Sequence, residues 1–179
     1  MKNQQYRSSS GGKGLRGLLN VLTICVMAYL GVFLFLGAKS IPIPQSPEFE
    51  KAVSIIKKYE GMHYNKGNLV GYGHKILKGE GLKRNQRLSE AEADKLLRKD
   101  LALLCQKYRG FGKDSLLLSA LAYNCGIGVV AKSNVYKRLK TGNRDIKDSY
   151  LAHCRYRGKV MSQIKRRRVE EFQELFIKD

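Results

Sequence analysis

An uncharged, mostly apolar run near the N-terminus limits how this chain can fold. Residues 18–37 read LLNVLTICVMAYLGVFLFLG and contain no charged residue. About 20 consecutive apolar residues suffice for a helix to cross the hydrocarbon core of a bilayer. Lys2, Arg7, Lys13 and Arg16 precede the run without an acidic residue, and such basic flanks stay in the cytoplasm. The sequence therefore predicts a basic cytoplasmic segment at 1–17 and one transmembrane helix at 18–37.

This topology places everything after Gly37 on the extracytoplasmic side of the inner membrane. The run is longer than the apolar core of a typical signal peptide, about 7–15 residues, which favours a retained anchor. Cleavage at Ala38-Lys39-Ser40 is the alternative, because small residues stand there. The prolines of the segment IPIP restrict the residues before them and predict a stiff linker at 38–46. The remaining residues, 47–179, are long enough for one domain.

Basic residues outnumber acidic ones in this domain as well as in the whole chain. The chain has 34 Lys and Arg against 15 Asp and Glu, a net charge of +19. The first 40 residues hold five of the basic and none of the acidic residues, so the remainder has 29 against 15, or +14. This charge suits an anionic wall or membrane surface. Predicted export argues against nucleic acid as a partner.

The basic segment Lys165–Arg168 could by itself suggest nucleic-acid binding. Aromatic residues that stack on bases are sparse around it. Arg166 and Glu170 are four residues apart, as are Arg167 and Glu171, so each pair can interact along one helix. We therefore interpret the segment as a solvated helix face.

Cysteine spacing gives no sign of a metal site. Cys105, Cys125 and Cys154 lie in the domain, and an odd number permits at most one internal disulfide. The chain has no CxxC pair of the kind that structural zinc sites use. We predict neither a metal nor a cofactor, and we expect these cysteines to be small buried side chains.

Helical patterns dominate the domain. Ser46 and Pro47 are typical of a helix start, and Gly61 is typical of a helix end. Residues 69–74 resemble a short strand. Ser89 and Glu92 form a capping box that predicts a helix to about Cys105. The sequence thus predicts a mostly α, α+β fold with a small β-hairpin near the N-terminal side of the domain.

The second half of the domain is predicted to be helical throughout. Asp114 is expected to cap a central helix that is apolar on every side and ends near Cys125. Further helices are predicted at about 129–140, 145–155 and 160–177. The inner face of the last one is expected to hold Met161, Ile164, Phe172 and Leu175.

Glu60 is the strongest candidate for chemistry. Helical spacing places it in line with the apolar stripe of Phe49, Val53 and Ile56, which predicts a buried side chain. Burial disfavours the charged form of a carboxyl group. A carboxylic acid that keeps its proton near neutral pH can protonate a glycosidic oxygen. A Glu turned to solvent at a frayed helix end is the alternative, since Glu is rarely fully buried.

Three sequence blocks resemble phage-type lysozymes. The first is Tyr59-Glu60-Gly61 followed by Gly71-Tyr72-Gly73-His74. The second runs from Ser119 to Gly128, SALAYNCGIG, and the third runs from Gly158 through three consecutive arginines to Leu175. Each block alone is weak, but they occur in the family's order and cover nearly all of residues 47–177.

The resemblance implies a lysozyme-like catalytic domain at 47–179, two-lobed and mostly helical. It implies cleavage of the β-1,4 bond between N-acetylmuramic acid and N-acetylglucosamine in peptidoglycan, with Glu60 as the general acid. It also suggests that Tyr64, His74 and Asn124 shape the substrate cleft or contact the glycan. For His74, a structural hydrogen bond is an equally good interpretation.

The chain departs from the family at the second catalytic group. Family members usually have an Asp within the hairpin and a Thr just before the Gly-Tyr-Gly-His strand. Residues 61–70 read GMHYNKGNLV, without a carboxylate or a Thr. A distant acid such as Glu80 could act instead, or Glu60 could work alone as in lytic transglycosylases. The third alternative is an inactive protein that only binds the wall. We rank these as hydrolase, transglycosylase and binder.

A short linker between anchor and domain also suits a component of a membrane-spanning machine. The anchor favours local wall cutting near the membrane, for a conjugation or secretion apparatus or for phage release. A cell-envelope-spanning complex is therefore a candidate partner, beside peptidoglycan and the membrane itself.

Overall fold

The computed structural model describes residues 42–178, with only the backbone of residues 65 and 66. The predicted cytoplasmic segment, transmembrane helix and first part of the linker lie outside the described residues. Within residues 42–178, every helix is too short or too polar to cross a membrane. The described part of the chain is mostly helical with two small antiparallel sheets, which confirms the predicted fold class.

The described residues form seven α-helices, five short strands and one 3₁₀-helix. The helices are α1 (Pro47–Glu60), α2 (Glu90–Lys107), α3 (Ser115–Cys125), α4 (Ile127–Lys132), α5 (Asn134–Lys140), α6 (Lys147–Leu151) and α7 (Ser162–Leu175). The strands are β1 (His63–Lys66), β2 (Leu69–Gly71), β3 (His74–Lys75), β4 (Arg155–Tyr156) and β5 (Lys159–Val160). The 3₁₀-helix spans Arg109–Asp114.

Helix α1 begins and ends where the sequence predicts. The Ser46 hydroxyl accepts a hydrogen bond from the Phe49 amide at 3.2 Å, and Pro47 occupies the first helical position. The apolar stripe of α1 is buried. Gly61 ends the helix with a φ of 62°, a conformation that favours glycine, and its amide bonds to the Lys57 carbonyl at 3.0 Å. Glu60 is therefore the last helical residue.

Strands β1, β2 and β3 form an antiparallel sheet in that order. The predicted single strand at 69–74 is wrong, because the chain turns at Tyr72 and Gly73, where Gly73 has a φ of +94°. Gly71 lies against helix α2, and a Cβ there would stand 2.9 Å from Cβ of Ala93. The sheet packs on α2 because this position carries no side chain.

Helix α3 is the buried central helix, as predicted. Its residues Leu117, Leu118 and Leu121 are fully buried, and it packs against α1, α2 and α7. The capping box of Ser89 and Glu92 at the start of α2 is confirmed. Asp114 occupies the N-cap position of α3 as predicted, but its side chain makes no capping hydrogen bond. Its carboxylate instead binds Arg144 through two hydrogen bonds of 2.8 and 2.7 Å.

The second half of the domain differs from the predicted series of long helices. Ser133 divides the predicted helix at 129–140 into α4 and α5, because its hydroxyl caps α5 by accepting from the Tyr136 amide at 3.1 Å. The helix predicted at 145–155 is shorter in the structure, where α6 spans only Lys147–Leu151. Strands β4 and β5 then form a hairpin before α7. Met161 is exposed, so its predicted place on the inner face of α7 is wrong, whereas Leu175 is buried there.

Candidate active site

The Glu60 carboxyl group lies where α1, α3 and α7 meet, and its two oxygens have different surroundings. Oε1 accepts a hydrogen bond from Nη1 of Arg167 at 2.6 Å and one from Nδ2 of Asn124 at 3.3 Å. Oε2 faces Nε2 of His63 at 3.8 Å. The side chain retains 18% of its exposure. One oxygen is thus held by the protein, while the other has no hydrogen bond within the described part of the chain.

Gly73 leaves space beside Oε2. A Cβ at this position would lie 3.6 Å from Oε2, and the positive φ of the residue also favours glycine. The glycine-rich turn between β2 and β3 therefore keeps the backbone close to the carboxyl group without covering it with a side chain. This is the arrangement expected where a ligand must approach closely.

A buried ionic network on α7 supports this carboxyl group. Arg167, Arg168 and Glu171 are at most 3% exposed, so the prediction that this segment is a solvated helix face is wrong for these residues. Nε of Arg167 donates to Oε1 of Glu171 at 2.7 Å, which confirms the pairing expected from their spacing. Arg168 binds the other oxygen of Glu171. These charges are paired, as burial requires.

Two further partners extend the network to neighbouring elements. The Tyr150 hydroxyl donates to Oε2 of Glu171 at 2.8 Å, and burial together with the Glu171 charge raises the pKa of Tyr150. Nη2 of Arg168 donates to Oδ1 of Asn124, whose amide nitrogen faces Glu60. Arg168 therefore fixes which way the Asn124 amide points, and Asn124 in turn supports Glu60.

His74 belongs to a separate cluster. Its Nδ1 lies 2.7 Å from Oδ2 of Asp100, and its Nε2 lies 3.0 Å from Oε2 of Glu80. The hydrogen bond with Asp100, followed by that with Glu80, raises the pKa of His74 against the effect of burial. The Leu77 amide donates to Glu80 at 2.9 Å and, with His74, lowers the pKa of that carboxyl. This geometry corresponds to a structural hydrogen-bond role for His74.

Tyr64 is exposed on strand β1, with the guanidinium of Arg87 5.8 Å from its ring centre. Of the predicted site residues, the structure brings Asn124 into hydrogen-bond contact with Glu60. His74 instead makes its contacts with Asp100 and Glu80, and Tyr64 presents its ring to solvent.

Sequence reasoning missed His63 and Arg167 as neighbours of Glu60. The pairing of Arg167 with Glu171 was a usable signal, because it places Arg167 on a defined face of α7. Nothing in the local pattern around His63 indicates that its ring turns back toward the residue at the end of α1.

A cavity of about 430 Å³ adjoins Asn124. A volume of this size lies within the range of small-molecule sites. The cavity extends from Asn124 and Cys125 to the β4–β5 hairpin, and its other lining residues are Val129, Ala152, His153, Arg155, Tyr156 and Ile164.

Burial raises the pKa of the Cys125 thiol, which disfavours a reactive thiolate. Cys105, Cys125 and Cys154 are free thiols.

Residues 42–178 contain no group of three His, Cys, Asp or Glu side chains that could hold a metal ion. A carboxyl group with one anchored and one open oxygen is suited to proton transfer, because the anchored oxygen fixes the direction in which the other points.

Comparison with known proteins gives a consistent family. The family described as phage lysozyme matches residues 57–171. An endolysin of Bacillus phage B103 is 28% identical over an alignment of 142 residues, which covers 68% of this chain and 51% of the relative. The chain therefore spans about half the length of this curated relative.

Two solved structures have the same fold. The muramidase domain of SpmX from Asticaccaulis excentricus superimposes with a TM-score of 0.59 at 21% identity, covering 76% of this chain and 99% of that domain. The endolysin from Escherichia coli O157:H7 phage FAHEc1 gives a TM-score of 0.57 at 20% identity, covering 75% of this chain and 97% of that one. With the match over residues 57–171, the chain belongs to the phage lysozyme family.

Proposed function

We propose that this protein cleaves the glycan strands of peptidoglycan at the β-1,4 bond between N-acetylmuramic acid and N-acetylglucosamine, with Glu60 as the general acid. The observation that carries the proposal is the asymmetry of the Glu60 carboxyl, with Oε1 held by Arg167 and Asn124 and Oε2 open. The relatives named as endolysins and as a muramidase domain support the same substrate class.

The chemistry follows from this asymmetry. Oε2 carries the proton and transfers it to the glycosidic oxygen, while the bond from that oxygen to the anomeric carbon breaks. The hydrogen bonds on Oε1 keep the carboxyl plane fixed during the transfer. Arg167 also donates a hydrogen bond to Glu171, and this second contact holds its guanidinium in place beside Glu60. Proton transfer from a positioned acid contributes typically about 10²- to 10⁴-fold to a rate.

Two different nucleophiles can attack the anomeric carbon in the second half of the reaction. In a hydrolase, water attacks the anomeric carbon and a second acidic side chain commonly assists. In a transglycosylase, a hydroxyl of the muramic acid attacks instead, and Glu60 works alone. Residues 61–70, where the family usually has its second acid, contain no carboxylate. This observation favours the transglycosylase as the second candidate function.

Glu80 is poorly placed to act as the missing acid. Its carboxylate accepts hydrogen bonds from the Leu77 amide and pairs with His74, and Lys99 lies 3.9 Å away. Moving Glu80 to Glu60 would break all three contacts and leave the buried His74 ring with one partner. A hydrolase mechanism would therefore need another acidic residue, or a water that is positioned without one.

The products separate these alternatives. Purified protein is incubated with peptidoglycan, and the released fragments are identified by mass spectrometry. Reducing ends that have taken up water indicate hydrolysis, and anhydro ends indicate a transglycosylase. If no fragment is released, the chain is a wall-binding relative that has lost the chemistry, and the proposal fails.

The apolar run at 18–37 supports an inner-membrane anchor with the domain on the extracytoplasmic side. In that position the enzyme opens the wall locally, beside a complex that spans the envelope. A topology reporter fused after Asp179 should be active outside the cytoplasm, and the mature protein should stay in the membrane fraction. A soluble mature protein that begins at Ile41 would contradict the anchor, and a cytoplasmic reporter would contradict the export.

A further inference from the structure

His63 has a buried ring nitrogen without a partner. The residue is 7% exposed at the start of strand β1, three residues after Glu60. Its Nδ1 has no hydrogen-bond partner within the described part of the chain, and its Nε2 faces Oε2 of Glu60 at 3.8 Å. A polar atom buried in this way costs free energy, so the position calls for an explanation.

The surroundings of the two ring nitrogens favour one tautomer of the neutral ring, because Nε2 faces a carboxyl oxygen and Nδ1 has no acceptor beside it within the described part of the chain. A buried N–H without an acceptor is rarer in proteins than a buried acceptor without a donor. We therefore expect the proton of neutral His63 on Nε2 and a bare Nδ1. In this tautomer the protonated nitrogen of His63 is the one that lies 3.8 Å from the open oxygen of Glu60.

We propose that His63 is a positioning residue that donates its Nε2 proton in a hydrogen bond to Oε2 as Glu60 gives up its own proton to the substrate. This inference rests on the proposed function. Before the reaction, 3.8 Å is too long for a hydrogen bond, so the contact is weak. Once Oε2 becomes an anion, the contact strengthens, and such bonds are often long until the reacting complex forms. An interaction that is stronger in the transition state accelerates the chemical step.

The distance also excludes another role for His63. Paired catalytic carboxyls stand about 5–5.5 Å apart in retaining glycosidases and about 6.5–9.5 Å apart in inverting ones, because the sugar lies between them. At 3.8 Å from Glu60, His63 lies on the same side of the substrate as the acid. It therefore cannot activate a water on the opposite face.

The proton balance is simple. The Glu60 proton passes from Oε2 to the glycosidic oxygen, and the electron pair of the breaking bond stays on that oxygen. Glu60 becomes a carboxylate as positive charge develops at the anomeric carbon. His63 keeps its Nε2 proton throughout and supplies only the hydrogen bond, so no additional reactant is needed.

The test compares His63→Leu with His63→Gln in the full-length chain. The leucine fills the buried site without a donor, whereas the glutamine can place an amide N–H near the position of Nε2. We expect His63→Leu to lower kcat by about 10- to 100-fold with KM unchanged, a loss somewhat below that for a fully formed oxyanion donor. We expect His63→Gln to recover part of that loss.

Three kinetic outcomes would overturn the inference: an unchanged kcat in His63→Leu, a higher KM as the only effect, or a glutamine variant no better than the leucine one. Wild-type protein that releases no fragments would mean that the proposed function itself has failed, and the inference with it. Fragment release by the wild type and by His63→Leu at equal rates would remove only the inference.

If His63→Leu fails to fold, the ring tautomer of His63 in the wild-type protein tests the inference instead. The ¹⁵N shifts of a histidine-labelled sample distinguish the two neutral tautomers of His63, and Asn or Gln substitution of the other two histidines assigns the signals. We expect the proton on Nε2. A proton on Nδ1 would overturn the inference, because Nε2 would then have no hydrogen to donate.

Discussion

Arg167 and Glu60 lie 107 residues apart in the sequence, and Nη1 of Arg167 donates a hydrogen bond of 2.6 Å to Oε1 of Glu60. This contact ties helix α7 to the end of helix α1. The same guanidinium binds Glu171 through its Nε atom. The position of the Glu60 carboxyl is thus determined by a buried ionic network as well as by the helix that carries it.

Removing the Arg167 guanidinium should lower both stability and activity. Breaking a buried ion pair by deleting one partner costs about 3–5 kcal/mol, because the other charge stays buried. We expect the loss of unfolding free energy in Arg167→Ala to lie near the lower end of this range, because Glu171 keeps its hydrogen bonds with Arg168 and Tyr150. Thermal unfolding followed by circular dichroism measures the loss. Arg166→Ala is the matched control, because its side chain is exposed one residue away and surface changes stay within about 0.5 kcal/mol. Equal melting temperatures for the two variants would contradict the network.

The Tyr150 hydroxyl should also contribute measurably to stability. Its hydrogen bond of 2.8 Å to the buried Glu171 carboxylate involves a charged group, and such bonds contribute about 1.5–3 kcal/mol. We expect Tyr150→Phe to lower the free energy of unfolding by that amount. Tyr156→Phe, at an exposed tyrosine of the β4–β5 hairpin, should leave it unchanged. A Tyr150→Phe variant as stable as the wild type would show that Glu171 does not need this donor.

Alanine substitution of Gly73 and of Gly79 distinguishes the effect of backbone strain from the effect of a side chain placed in the active site. Gly73 and Gly79 have nearly the same φ, +94° and +92°, so an alanine at either should cost about 1–2 kcal/mol. A Cβ at Gly73 would lie 3.6 Å from Oε2 of Glu60, whereas one at Gly79 would meet nothing within 4 Å. We expect similar melting temperatures but slower glycan cleavage only in Gly73→Ala. Equal cleavage rates for the two variants would mean that the space beside Oε2 is not used.

His74 should make stability depend on pH. Each of its ring nitrogens faces a carboxylate oxygen, and only the protonated ring has an N–H for both. Its pKa in the folded protein is raised above 6.5, so this contribution is complete below about pH 6.5 and is lost as the pH rises through the folded pKa.

The measurement is the difference in melting temperature between the wild type and His74→Asn from about pH 5.5 to 8.5. The difference should shrink as the pH rises. His153, whose pKa burial lowers, acts in the opposite direction, but it is present in both proteins and cancels in the difference. A difference that is constant over this range would show that protonated His74 is not the stabilising species.

Local chemistry explains which parts of the fold the sequence could predict. The ends of α1 and the start of α2 follow from Ser46, Gly61 and the Ser89–Glu92 box, because a cap needs only residues within one turn. The short strands β4 and β5 escaped prediction, since strands of two residues show no alternation. Asp114 looked like a cap, but its partner Arg144 lies 30 residues further along the chain.

The candidate site was predictable to a similar extent. Glu60 and Asn124 were identified through motifs, and the structure brings them into contact. The sequence predicts that Arg167 and Arg168 are solvated, because consecutive charged residues usually face water. Their burial depends on acceptors from other helices, including Glu60 and Asn124, which helical spacing alone does not indicate.

The central claim is that Glu60 carries out the cleavage, and one comparison tests it directly. Full-length wild-type protein, Glu60→Gln and Glu48→Gln are incubated with peptidoglycan, and the released fragments are quantified by mass spectrometry. Glu48 lies at the other end of α1 and is exposed, so its variant controls for the loss of one carboxylate. We predict that Glu60→Gln loses at least about 100-fold in rate while Glu48→Gln matches the wild type. Fragment release by Glu60→Gln at the wild-type rate would contradict the account.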